Sequence, residues 1–166
     1  MVVSTLQQVA SPPDQIEAEA VAAFFFPEDR PLAGAAGLLD WRLNGFVSGL
    51  ILDGKAVGEV GEQLWIRSND KLRAPWVLLV GGGSRSAFAD VTGFRKSIGH
   101  LLKVAADSGI GRLVIGIDPV MRLGQEQQID IITSAWEQLG SERLQCLVSF
   151  DQSWVKNRSR SSQTLS

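Results

Sequence analysis

The stretch of this sequence with the most chemical capacity is Gly81-Gly82-Gly83-Ser84-Arg85. It follows the apolar run Trp76–Val80 and precedes a helical pattern, the place where open α/β sheets hold ligands. Glycine amides approach a phosphate closely, a helix N-terminus adds a favourable dipole, and Arg85 adds positive charge. Asp118, at the end of the run Leu113–Ile117, falls on the same edge of the sheet and offers a carboxylate. A phosphorylated small molecule is therefore one candidate partner. Plainer readings stand beside this one. The run is neither G-x-G-x-x-G nor a Walker loop, and consecutive glycines also serve to reverse a chain tightly. Asp118-Pro119 opens a turn when the carboxylate bonds its own backbone. The turn readings ask less of the sequence.

Other chemistry finds little support. A zinc site needs three or four converging Cys, His, Asp or Glu ligands. The chain has one His and one Cys, and its carboxylates show no clustered spacing. His100 falls on the polar side of its expected helix, as a surface histidine does. Cys146 lies inside a strand pattern, where a free cysteine acts as a small buried hydrophobe. Ser84 and Ser86 follow the glycines, but Gly83-Ser84-Arg85 is not the G-x-S-x-G elbow of a nucleophilic serine. The expectation is therefore no catalytic residue, no metal and no cofactor.

The elements that must position these residues follow from composition and pattern. The chain has 166 residues, 45% hydrophobic and 20% charged, enough for one domain with a real core. Its formal charge of −2 gives no electrostatic case for nucleic acid. A single cysteine excludes an internal disulfide and suits a reducing compartment. No basic segment followed by an apolar run opens the chain, and no apolar stretch is long enough to span a membrane. A cytoplasmic protein without membrane contact is expected.

Ala20–Phe26 is a short apolar run stopped by Pro27, the mark of a buried strand. Pro31–Gly37 forms a turn-rich loop. Leu39, Leu43, Phe46, Val47 and Leu50 then recur at helical spacing, predicting one helix closed by Asp53-Gly54. Strands follow at Gly61–Ser68 and Trp76–Val80, and a helix runs from Val91 to Asp107 with Asp90 or Thr92 as N-cap. Leu113–Ile117 is a further strand. Gln125–Leu139 is a third helix with Ile129, Ile132, Trp136 and Leu139 inward, and Leu144–Phe150 is the last strand. Helices alternating with short apolar strands give an α/β sandwich with a partly parallel sheet. Residues 1–17 form a flexible lead-in, 18–150 the domain, and 151–166 a polar, basic tail. Trp41, Trp65, Trp76 and Trp136 fall in elements, as core or half-buried residues. Trp154 stands in the tail, where it could dock onto the domain or a partner, while the plainer reading is a solvated tail.

Two segments carry a family resemblance. LLDWRLNGFVSGLILDGKAVGEVGEQLWI, Leu38 to Ile66, resembles the helix, glycine loop and strand of leucyl aminopeptidase N-terminal domains. WVLLVGGGSRSAFADVTGFRKSIGHLLKVA, Trp76 to Ala105, is similar to that family's buried strand, glycine turn and next helix, with Arg85 at its basic position. The resemblance implies a three-layer α/β/α fold with a mixed sheet, macrodomain-like in architecture. Two-metal catalysis in that family belongs to a second domain, and none of its ligand motifs has a matching position here. The implied function is a non-catalytic interaction module, self-associating or paired with an aminopeptidase-type partner. Alternatives are a binder of an ADP-ribose-like ligand at Gly81–Arg85 and Asp118, or part of a two-metal aminopeptidase.

Overall fold

The computed structural model describes residues 6–118 and 122–150. Six strands form one sheet: β1 (Leu6–Val9), β2 (Ala20–Phe25), β3 (Gln63–Arg67), β4 (Trp76–Gly81), β5 (Arg112–Gly116) and β6 (Gln145–Ser149). Their spatial order is β1-β6-β5-β2-β4-β3. All neighbours are parallel except β3 and β4, which pair antiparallel from Gln63↔Val80 to Arg67↔Trp76. The mixed, partly parallel sheet expected from the sequence is thus present.

The sheet is covered on both faces, and this is why its central strands are continuous apolar runs. Every residue of β2 is buried. Its alternate positions Val21, Ala23 and Phe25 face α1 (Gly34–Arg42) and α2 (Phe46–Leu52), meeting Ala36, Leu39, Leu43 and Val47. Ala20, Ala22 and Phe24 face the opposite layer, built from α3 (Arg85–Phe88), α4 (Val91–Asp107) and α5 (Gln125–Leu139). There Phe94, Ile98, Leu101 and Leu102 of α4 have no exposed surface, as the 3.6-residue stripe requires. Asp90 caps α4 by accepting from the Gly93 amide at 2.7 Å. The result is a three-layer α/β/α sandwich.

Several elements depart from the sequence pattern, among them the short helix α3, which the pattern does not predict. The helix expected from Leu38 is two helices, broken where Asn44 (φ 58°) and Gly45 (φ 78°) turn left-handed. The apolar spacing survives because the second helix keeps packing on the same face, although Phe46 is 52% exposed. Gly45 has no side chain with which to cap α2, and Asp40 supplies the cap from the preceding helix. Its carboxylate accepts from the Val47 amide at 2.8 Å, the Ser48 amide at 3.1 Å and the Ser48 hydroxyl at 2.5 Å. The expected loop Pro31–Gly37 already enters α1 at Gly34, a start hidden by its glycines.

The lead-in carries an edge strand, β1, paired with β6 from Leu6↔Cys146 to Val9↔Ser149. Its two middle residues are exposed, so it lacks the apolar run that identifies a central strand. Beyond it a single 3-10 turn (Pro13–Gln15) buries Asp14, whose Oδ2 accepts from Arg42 Nε at 2.7 Å. In α5 the most buried side is Gln128, Ile131, Ile132 and Ala135, with Ile129, Trp136 and Leu139 half-buried beside it.

Candidate functional site

The three glycines occupy the carboxyl end of β4, and each amide is engaged by the protein itself. Gly81 N–H donates to the Glu62 carbonyl at 2.8 Å, Gly82 N–H to Phe25 at 2.9 Å and Gly83 N–H to Gly58 at 2.9 Å. A β-carbon on Gly81 would overlap the Glu59 carbonyl, and one on Gly82 the ring of Phe26. Gly83 turns at φ +72°, where a β-carbon would lie 2.6 Å from Val60 Cγ2. The loop supplying these contacts is held by Glu62, whose carboxylate gathers the amides of Val57, Gly58 and Glu59 at 2.8–3.2 Å. The run is therefore a close-packed turn. Donating its amides to a phosphate would require breaking those backbone bonds.

Ser84 begins α3 as its N-cap, its hydroxyl accepting from the Ala87 amide at 3.2 Å. Arg85 turns back toward the β2–α1 loop. Its Nε donates to Asp29 Oδ1 at 2.7 Å and its Nη2 to Asp29 Oδ2, a two-point pair, while its amide donates to Glu28 Oε1 at 2.7 Å. The guanidinium lies 4.4 Å over the Phe26 ring. Hydrogen bonding to Asp29 holds the Arg85 pKa above its ordinary value against the opposing effect of burial. Asp118 reaches across from the end of β5, and its Oδ1 accepts from the Ala35 amide at 2.8 Å in the first turn of α1. It caps a distant helix, a role no local pattern could reveal.

These residues surround a cleft of about 340 Å³ at the carboxyl ends of β2, β4 and β5. Its floor is aromatic: Phe24, Phe26, Phe88 and Phe94 line it, all buried. Phe88 is the hub, with ring centroids 5.0 Å from Phe24, 4.8 Å from Phe26 and 5.5 Å from Phe94 in tilted or edge-on geometry. Glu28, Arg85, Ser86, Asp118 and Arg122 supply the polar groups. A concave apolar site with a few polar groups at the strand ends is the usual form of a small-molecule site. The structure thus brings Arg85 and Asp118 to one cleft and leaves the glycines behind it as packing. The phenylalanine floor was missed from sequence, although F-F-F at Phe24–Phe26 with Phe88 and Phe94 flanking the glycine turn was the available signal.

The remaining candidates resolve as follows. His100 departs from the solvent-facing reading: the residue is half-buried, and its Nε2 is buried without a hydrogen-bond partner. Cys146 is buried, and burial alone pushes its thiol up to about 12. Trp41 departs from the core reading at 56% exposed, with Arg42 over its ring at 5.0 Å. Trp65, Trp76 and Trp136 are half-buried. Trp154, the basic tail and Pro119 lie outside the described residues. Among the described residues no His, Cys, Asp and Glu group has a metal-binding arrangement, and no helix is long and apolar enough to cross a membrane.

Comparison with known proteins gives a consistent picture. Residues 20–142 match the family model described as the cytosol aminopeptidase family, N-terminal domain. A probable cytosol aminopeptidase of Pseudomonas fluorescens (strain SBW25) is 32% identical over 99 residues, covering 60% of this chain and 20% of the relative. The chain spans about a fifth of the length of the curated relatives it matches. Among solved structures, a tomato leucine aminopeptidase mutant superposes with a TM-score of 0.65 at 17% identity, over 89% of this chain and 32% of that one. The macrodomain of Mycobacterium tuberculosis DarG superposes with a TM-score of 0.69 at 12% identity, over 88% of this chain and 97% of that one. These likenesses show a macrodomain-like fold.

Proposed function

Because the chain belongs to the N-terminal domain family of the cytosol aminopeptidases, we propose that it works as a non-catalytic binding domain whose ligand enters the phenylalanine-floored cleft. The cleft itself carries this reading. It is concave and apolar, it lies where open α/β sheets receive ligands, and its floor is a connected ring cluster. In support of the non-catalytic part, Ser84 is committed to a helix cap and Arg85 to Asp29. The peptidase activity in the relatives' names would require partners or residues beyond the aligned fifth. The relatives' description as cytosol enzymes supports a cytoplasmic location.

The test is a thermal-shift panel of nucleosides, nucleotides and aromatic amines on the wild-type chain and on Ser86→Trp. Ser86 is exposed at the cleft, so an indole there blocks entry without entering the core. A ligand at one hundred times its Kd stabilises by about 2.7 kcal/mol, a rise of roughly 5–10 °C at this size. The reading requires a shift in the wild type that is lost in Ser86→Trp. A shift retained by that variant, or none for any compound, contradicts it.

A second reading, a self-association or protein-interaction module, has its own observation. Phe46 stands 52% exposed over a groove shared with Leu43, Trp65 and Ile66, beside the edge strand β3, and Trp41 is exposed on the neighbouring helix. Under this reading light scattering finds an oligomer that Phe46→Ser with Trp41→Ser converts to monomer. A monomeric wild type at high concentration removes the self-association form of it.

A further inference from the structure

Resting on the cleft as the binding site, we infer that it takes an uncharged aromatic ring of nucleobase size and discriminates against phosphate-bearing versions of the same ring. Three of the groups that attract anions at this end of the sheet are already occupied by the protein, and among the described residues the exposed Arg122 is the cation left at the cleft. The Gly81, Gly82 and Gly83 amides are bonded to backbone carbonyls. The first turn of α1, a nine-residue helix, presents its positive end here, and Asp118 fills that place as a built-in anion. The Arg85 guanidinium is held at two points by Asp29 and stacked on Phe26.

What remains favours a neutral ring. Around the cleft Glu28, Asp118 and the Asp29 that clamps Arg85 set three carboxylates against the guanidiniums of Arg85 and Arg122. A phosphate drawn to the exposed Arg122 would still lie among these carboxylates, where like charges repel. The floor is suited to a ring, because the Phe24–Phe26–Phe88 cluster already packs by tilted and edge-on contacts that a further ring extends. At about 340 Å³ the cleft is at the small end of ligand sites, room for one ring system rather than an extended dinucleotide. Carboxylates accept hydrogen bonds, so ring N–H donors are preferred over ring acceptors at the exposed Glu28.

Adenosine, AMP and ADP test this directly, since they share one ring and differ in charge. Calorimetric titration of the whole chain should give the tightest binding with adenosine, with Kd weakened about three- to tenfold per phosphate at low salt. Asp118→Asn keeps an oxygen acceptor for the Ala35 amide while removing one negative charge, and should narrow the gap between adenosine and ADP. Its melting temperature serves as the folding control. ADP binding as tightly as adenosine or more tightly would overturn the inference and leave the cleft as the binding site. A gap unchanged in folded Asp118→Asn would overturn the charge-based selection. No binding by any of the three compounds would overturn the inference, and a wild type unshifted across the wider thermal-shift panel would overturn the site.

Discussion

Removing the Asp40 carboxylate should destabilise the domain more than any ordinary helix-cap substitution. Asp40 is 8% exposed and accepts three hydrogen bonds at the start of α2, two from backbone amides and one from the Ser48 hydroxyl. In Asp40→Ala the Val47 amide belongs to a fully buried residue, so it loses its partner with little access to water. The Ser48 amide, at a half-buried residue, is more open to replacement by solvent. A lost cap costs about 1 kcal/mol and a buried unpaired amide about 1–3 kcal/mol, giving about 2–4 kcal/mol in all. At roughly 2–4 °C per kcal/mol for a chain of this size, the melting temperature should fall by roughly 5–15 °C. Urea unfolding followed by circular dichroism supplies the free energy. Asp40→Asn, which keeps one acceptor oxygen, should recover about half of the loss. An Asp40→Ala protein within about 0.5 kcal/mol of wild type would refute the claim that this carboxylate holds the two helices together.

Three other perturbations have signs fixed by the structure. Gly81→Ala should cost about 2 kcal/mol or more, because its β-carbon meets the Glu59 carbonyl and the loop must shift. Gly99→Ala, inside α4 with open space around it, should instead stabilise by about 0.5–1 kcal/mol, and chemical denaturation of the pair tests both signs. Burial raises the Cys146 thiol from its ordinary 9.0 to about 12, so the folded state holds this proton more firmly than the unfolded one. Its contribution is fully present below pH 9.0 and is lost as the pH climbs toward about 12, with a slope of at most ~1.4 kcal/mol per pH unit. Urea melts at pH 8 and pH 10.5 should show a steeper loss in wild type than in Cys146→Ala. Equal losses would contradict the assignment.

The sequence was most informative where one physical cause dominated. α4 was legible end to end because its stripe and the Asp90 cap agree. The bounds of α5 followed from its spacing and the closing Gly140, although its most buried side is turned toward Gln128, Ile131 and Ala135. β2 and β4 were legible as nearly unbroken apolar runs, and β5 and β6 from their apolar middles, because these strands are covered on both faces. β1 was not, since an edge strand with two exposed middle residues carries no such signal. The break between α1 and α2 was hidden for a different reason. A helical turn lost at Asn44-Gly45 is made good by a cap from Asp40, and the apolar spacing runs through it undisturbed.

The site was legible in part. Arg85 and Asp118 do meet at the carboxyl edge of the sheet, as strand–loop order requires. Their partners, Asp29 and the Ala35 amide, lie 56 and 83 residues away in sequence, beyond the reach of local pattern. The glycine run was ambiguous because close packing and phosphate binding both demand a residue without a side chain. Only the three carbonyl partners of its amides separate the two.

The most direct test of the cleft as the binding site is a backbone-amide NMR titration of the wild-type chain with adenosine. The shifts should concentrate at Glu28, Ser86, Phe88, Ala89 and Ile117, around the phenylalanine floor. Shifts confined to α2 and β3, or none at millimolar adenosine, would contradict the cleft as the working part of the domain.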